Sequence, residues 1–194
     1  MEPAAEHIRE IVEAYLAVFP QERERLAPLT ERLAAPEEIQ ARHRMDGHVT
    51  GSAFVVDPRR RLVLLIHHRT LGRWFQPGGH VEADETPAIG AEREAREETG
   101  LQALFHAPWC GEIQLPIDID PHRIPANAKR GEGEHWHFDM RYLFVADARS
   151  PLLRQAEEIA DVRWAPLAEV AEADPGIAIA ARKIEAWLDS EDAP

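Results

Sequence analysis

Three glutamates, Glu94, Glu97 and Glu98, stand three and four residues apart in the stretch AEREAREETGL. On a helix, with about 100° between successive residues, that spacing gathers them within an arc of about 100°. Each carboxylate pair at such spacing costs about 0.2–0.5 kcal/mol through repulsion. Glu97 and Glu98 also fall in the last turn, where the helix dipole disfavours negative charge. Arg93 and Arg96 offer partial neutralisation, so a solvated helical face is one account of the pattern. The residues upstream favour another. Gly78 and Gly79 let backbone approach closely and can present a carbonyl, while Glu85 adds a carboxylate. Sites rich in such oxygens suit Mg2+ or Mn2+.

A second set of polar residues surrounds this one. The run HWHFDMR reads as a strand with His135, His137, Asp139 and Arg141 on one face and Trp136, Phe138, Met140 and Tyr142 on the other, core face. A His-x-His-x-Asp pattern can hold a transition metal, contact a substrate, or form an ordinary hydrogen-bonded network. Spacing alone leaves all three open. His68 and His80 flank the acidic stretch and are further candidates for substrate contact. Arg69, Arg73 and Arg141 are candidates to reach phosphates, and Trp74 to stack on a base or to pack in the core.

These side chains need a scaffold. Ile8, Ile11, Val12, Tyr15, Leu16 and Phe19 recur at helical spacing up to Pro20. Helical turns are expected over 21–34 and 36–44, broken near Pro28 and Pro36. Residues 1–45 thus form a helical extension whose apolar stripe suits core packing, with a homodimer contact as the alternative. From 46 to 194 the pattern is mixed. HVTGSAFVVD and RLVLLIHHR read as strands joined by a turn at Asp57–Arg60, and a short strand covers 74–76 before the Pro77-Gly78-Gly79 breaker. A helix runs over 87–99, with Thr86 as N-cap, Pro87 in its first turn and Gly100 closing it. Strands are expected near 101–106, 112–115 and 135–146, then a strand and short helix in DVRWAPLAEV and a closing amphipathic helix in IAIAARKIEAWL. The polar stretch 117–134, with two prolines, reads as a long loop, either a functional lid or an insertion without a role.

The run from Gly79 to Leu101 reads G-x5-E-x7-R-E-U-x-E-E-x-G-U, where U is bulky or apolar, and so resembles the signature of the Nudix hydrolases. Gly79, Glu85, Arg93, Glu94, Glu97, Glu98 and Gly100 fill its seven specified positions. Ala95 is small for one of the apolar ones. The resemblance implies an α/β/α sandwich with a mixed sheet, and Mg2+-dependent hydrolysis of a nucleoside diphosphate linked to another group. It implies metal binding through the Gly78 carbonyl and Glu94, Glu97 and Glu98, with Glu158 as a candidate further ligand and Glu157 nearly as good. It also implies that Glu94 can activate the attacking water, and that Arg93 orients a box carboxylate. Pro116, 15 residues after Leu101, lies close to where ADP-ribose-hydrolysing relatives carry a proline. Alternatives are a nucleoside triphosphate or RNA 5′-end pyrophosphohydrolase, and a non-catalytic ligand-sensing domain. A Nudix-fold isomerase is disfavoured because nothing around Cys110 resembles that family's catalytic cysteine segment.

Composition bounds these readings. A formal charge of −13 over 194 residues argues against broad nucleic-acid binding, which needs a basic footprint, and leaves a small phosphorylated substrate approached through cations. Cys110 is the one cysteine, so an intramolecular disulfide is impossible. No apolar run approaches the roughly 18 residues of a membrane helix, and the acidic N-terminus lacks the features of a secretory signal. A cytoplasmic location is expected.

Overall fold

The computed structural model of the chain describes residues 3–35, 37–107, 109, 114–128, 131–173 and 175–190. Helix α1 (Pro3–Val18) leads through a 3-10 turn (Pro20–Glu22) to α2 (Ala27–Arg32). Strands β1 (His48–Asp57), β2 (Leu62–His68), β3 (Arg73–Phe75) and β4 (Gly78–His80) precede helix α3 (Pro87–Thr99). After α3 come β5 (Phe105–His106), β6 (Asp118–Ile124), β7 (His135–Val145), β8 (Ile159–Pro166), α4 (Leu167–Ala173) and α5 (Pro175–Leu188).

The strands form one eight-stranded mixed sheet centred on β1. β1 runs parallel to β7, with His48 beside His137 and Ser52 beside Arg141. Its other edge pairs antiparallel with β4 near one end and β2 near the other. β8 and β3 extend the sheet beyond β2. β6 and β5 extend it beyond β7.

Every residue of β1 is buried, because helices cover both faces. Val49, Ala53 and Val55 join Phe138, Met140, Tyr142 and Phe144 in a core with α1 and α3. Phe54, Val56 and Leu143 point the opposite way, into a second core with α4 and α5. The helix-covered mixed sheet with an N-terminal helical segment is the expected architecture. The apolar face of α1 belongs to the first core, with Ile8 and Tyr15 fully buried.

Helix α3 crosses β1 closely because small residues line the crossing. A Cβ on Gly51 would overlap the carbonyl oxygen of Pro87, and Ala88, Ala91 and Ala95 are buried. Thr86 caps the helix by accepting from the Ile89 N–H at 3.3 Å, and Gly100 ends it at φ 70°.

Several sequence expectations are corrected. Residues 117–134 are not a structureless loop, since β6 pairs with β7 from Asp118↔Arg141 to Ile124↔His135. The alternation of Ile117 and Ile119 with Asp118, Asp120 and His122 was present, but charges and Pro121 obscured it. Pro121 is tolerated in an edge strand, and buried cations satisfy the aspartates. Of 101–106 only Phe105–His106 is strand. Residues 110–113, and with them Cys110 and half of the strand expected at 112–115, lie outside the described residues, and 114–115 are not strand. Pro28 sits in the first turn of α2 instead of breaking a helix. Among 37–44 the described residues form turns. Gly78–His80, read as a breaker, is a short strand.

Candidate active site

Strand β4 and the last two turns of α3 meet at one end of the sheet. The Gly78 N–H donates to Glu98 Oε2 at 3.0 Å, and a Cβ on Gly79 would overlap the carboxylate of Glu94. Glycine at 79 is therefore what lets Glu94 lie against the strand, while glycine at 78 lets β4 pack against Ser52 of β1. Glu98 is 6% exposed, Glu94 is half-buried, and Glu97 is exposed at the rim.

Arg93 organises the cluster. Its guanidinium forks onto Glu85 at 2.9 and 3.1 Å, and reaches Glu94 at 3.0 Å, Glu97 at 3.3 Å and the His80 carbonyl at 3.0 Å. Its hydrogen bonds to Glu85 hold that carboxyl below the usual carboxylate range, against burial. One guanidinium does not suffice for the rest. Burial pushes Glu94 up, with Arg93 opposing and Glu97 and Glu158 adding to the rise. Burial pushes Glu98 further, to about 8, opposed by the Gly78 hydrogen bond and reinforced by Glu94, Glu158 and Glu97. Glu158 is exposed, but its charge is felt by both glutamates. Its carbonyl accepts from the Arg69 N–H at 2.9 Å, tying the start of β8 to the end of β2. Glu157 is exposed as well.

The candidate substrate residues fall into two groups. His68, Arg69, Arg73 and Trp74 belong to the β2–β3 edge. Arg69 donates to the Ala156 carbonyl at 3.0 Å, His68 Nδ1 accepts from the Leu71 N–H at 3.3 Å, and Arg73 lies over Phe75. Trp74 is half-buried, with His67 edge-on and the Arg163 guanidinium 4.3 Å over its ring.

His80, His135, His137, Asp139 and Arg141 lie on the β1–β7–β6 side, on the face covered by α5. Asp139 and Arg141 are spent within the protein there. Asp139 accepts from Thr50 at 3.2 Å, Ser52 at 2.8 Å and Gln76 at 3.3 Å. Arg141, 5% exposed, binds Asp139, Asp118 and Asp120 at 3.1, 3.2 and 2.7 Å and donates to the Gly176 carbonyl at 2.7 Å. Its expected reach to phosphate is corrected on that ground, since four acceptors already occupy the guanidinium. Asp118 has Lys183 at 2.9 Å and Arg25 at 2.7 Å as well. Burial alone would raise Asp118, but Arg141, Lys183 and Arg25 outweigh it and hold the carboxyl low.

Sequence reading missed His48 and His122, which join His80, His135 and His137 in one cluster. The signal was available, because His48, Thr50 and Ser52 alternate as polar residues in an otherwise apolar strand. His48 lies 4.6 Å from His137 and 5.3 Å from His135 between ring centroids, and His80 stacks on His48 at 5.2 Å. Burial lowers His48, His80 and His137, and neighbouring histidines lower them further. His122 is raised: burial opposes, but its hydrogen bond to Asp120 prevails.

The NUDIX domain family matches residues 47–188, and the chain belongs to that family. A probable DHNTP pyrophosphohydrolase of Lactococcus lactis is 30% identical over 149 residues, 76% of this chain and 81% of that protein. An isopentenyl-diphosphate Delta-isomerase of Streptomyces avermitilis is 30% identical over 149 residues, 73% of this chain and 66% of that protein. An Ap4A hydrolase from C. elegans has the same fold, with a TM-score of 0.55 at 17% identity over 72% of this chain and 96% of that one. The chain is a hydrolase of the Nudix pyrophosphatase type. No helix among the described residues is long and apolar enough to cross a membrane.

Proposed function

We propose that the protein hydrolyses a phosphoanhydride bond in a small nucleoside diphosphate linked to another moiety, such as ADP-ribose or a nucleotide sugar, with Mg2+ or Mn2+. The observation that carries this reading is the meeting of Glu98 and Glu94 with the Gly78–Gly79 backbone, with Glu97 beside Glu94 on the Arg93 guanidinium. The donor set is all oxygen and carries more negative charge than Arg93 offsets, which suits hard divalent cations. Such cations would neutralise the pyrophosphate and lower the pKa of a bound water.

Within this reading Glu94, Glu97 and Glu98 hold the metal, with the Gly78 carbonyl and Glu158 completing the set. In this reading Glu94 also takes the proton of the attacking water, which is supported by burial keeping its carboxyl more basic than an exposed one. Arg93 fixes Glu94 and Glu97 relative to β4 and is a positioning residue. His68, Arg69, Arg73 and Trp74 contact one part of the substrate, and His80, His135 and His137 lie towards another.

A second reading, release of pyrophosphate from a triphosphate, is favoured by the relative named as a DHNTP pyrophosphohydrolase. The test is a panel of nucleotide sugars, ADP-ribose, dinucleoside polyphosphates, nucleoside and pterin triphosphates, 5′-triphosphate RNA and isopentenyl diphosphate. Each is assayed with Mg2+ and with Mn2+, and the products are identified. Two monophosphates from a diphosphate substrate support the first reading. Pyrophosphate from a triphosphate substrate supports the second. Isomerisation without hydrolysis, or tight binding without turnover, overturns both.

A further inference from the structure

We propose a second metal site, separate from the glutamate box, in which His48, His135 and His137 bind one borderline divalent transition ion of the Zn2+ class. One ring nitrogen from each residue lies within 4.8 Å of the other two. The architecture brings them together. Parallel pairing sets His48 directly beside His137, and strand alternation puts His135 on the same face of β7.

The hydrogen bonds assign the tautomers. His135 Nδ1 lies 2.8 Å from the Gly133 carbonyl oxygen, and His48 Nδ1 lies 3.3 Å from that of Arg44. A carbonyl only accepts, so both Nδ1 atoms carry the proton and both Nε2 atoms carry a lone pair. Metal-binding histidines have this arrangement, with the outer N–H held by a backbone carbonyl and the inner nitrogen facing the ion.

Of the inner nitrogens one has no partner among the described residues, and the other two face each other. His48 Nε2 is buried with no hydrogen-bond partner among the described residues. His135 Nε2 faces His137 Nε2 at 3.2 Å. In a tetrahedral site with Zn–N bonds of about 2.0–2.1 Å, ligand nitrogens stand about 3.3 Å apart. A histidine–histidine hydrogen bond satisfies that pair alone and leaves His48 Nε2 buried without a partner.

The ligand chemistry separates this site from the box. Three imidazoles with no carboxylate among them suit zinc, cobalt, nickel or copper, and do not suit Mg2+. Asp139 is committed to Thr50, Ser52, Gln76 and Arg141, and His122 to Asp120. Three protein ligands leave a coordination position open, as in zinc sites that take a water or substrate atom. The strand Gly78–His80 joins the two centres. Gly78 binds Glu98, while the His80 ring stacks on His48.

The test uses untagged full-length protein, stripped with a chelator and titrated with Zn2+ against a competing chromophoric chelator in a millimolar excess of Mg2+. One equivalent should bind with submicromolar affinity. Glu97→Gln/Glu98→Gln protein should bind it equally well, and His135→Asn and His137→Asn should each weaken it about 100-fold or more. Side-chain 15N spectra of the wild type provide a measurement independent of variant folding. Ring nitrogens of three histidines should move with the first equivalent of zinc. The proposal is overturned if the wild type takes up no zinc under these conditions, or if its ring nitrogens stay unmoved. It is also overturned if folded histidine variants bind like wild type, or if zinc is lost with the glutamates.

Discussion

Replacing Glu98 by Gln should remove from the metal-free protein the loss of stability that Glu98 causes as pH rises. Glu98 is 6% exposed, and its carboxyl is raised from 4.5 to about 8, by burial first and then by Glu94, Glu158 and Glu97. At about 1.4 kcal/mol per tenfold, keeping it ionised costs the folded chain about 5 kcal/mol relative to the unfolded one. The folded state holds a proton that the unfolded chain releases, so stability falls as pH rises from about 4.5, and the loss is complete above about 8. Between about pH 5 and pH 9 the wild type should lose roughly 4 kcal/mol from this group alone. Glutamine keeps an oxygen to accept the Gly78 N–H and loses the charge. Histidines titrating in the same range are common to both proteins and cancel in the difference.

The assay is urea unfolding with EDTA at several pH values across that range, repeated with millimolar Mg2+. The wild-type curve should fall away from the Glu98→Gln curve as pH rises. Mg2+ should restore the wild type at high pH and leave the variant unchanged, because a cation replaces the proton. Parallel curves in EDTA would refute the reasoning, since Glu98 would then be ionised at no cost to folding.

Three more expectations follow from the same geometry. Glu97→Gln, at an exposed rim position, should lower Mg2+-dependent turnover about 100-fold or more with little change in melting temperature; wild-type rates would remove Glu97 from the reaction. Gly79→Ala forces a methyl group into the Glu94 carboxylate, so steady-state kinetics should show a fall in kcat while circular dichroism reports a folded protein. Arg141→Met leaves Asp118, Asp120 and Asp139 without their shared guanidinium and should cost about 3–5 kcal/mol in urea unfolding; a smaller cost would mean that Lys183 and Arg25 suffice.

The box and its helix were legible because their determinants are local. Thr86, Pro87 and Gly100 fix the ends of α3, and its glutamate spacing reports directly on which face they share. The strand pattern of β7 was legible for the same reason, since alternation needs only neighbouring residues. What stayed hidden depends on pairing across long sequence distances. β6 reads as polar because the partners of its aspartates are distant in sequence, Arg141, Lys183 and Arg25 for Asp118 and Arg141 and Arg25 for Asp120. His48 reads as an ordinary strand residue until parallel pairing sets it against His137, 89 positions away along the register. Arg141 looked like a phosphate ligand because its buried acceptors come from β6 and α5.

Two acidic clusters among the described residues bear comparison, and burial acts on both in the same direction. In the β6 cluster three cations, Arg141, Lys183 and Arg25, converge on Asp118, and its carboxyl is held low despite being fully buried. Around the box one cation, Arg93, serves Glu85, Glu94 and Glu97, and Glu94 and Glu98 are both raised. Both clusters are crowded with carboxylates, and they differ in the supply of positive charge. A cluster that completes its own neutralisation inside the fold does structural work. One that is left short by its own chain suits an external cation, and there Gly79 lets the Glu94 carboxylate lie against the strand. The deficit at Glu98, more than the number of glutamates, supports the proposed reading of the box as the site of hydrolysis.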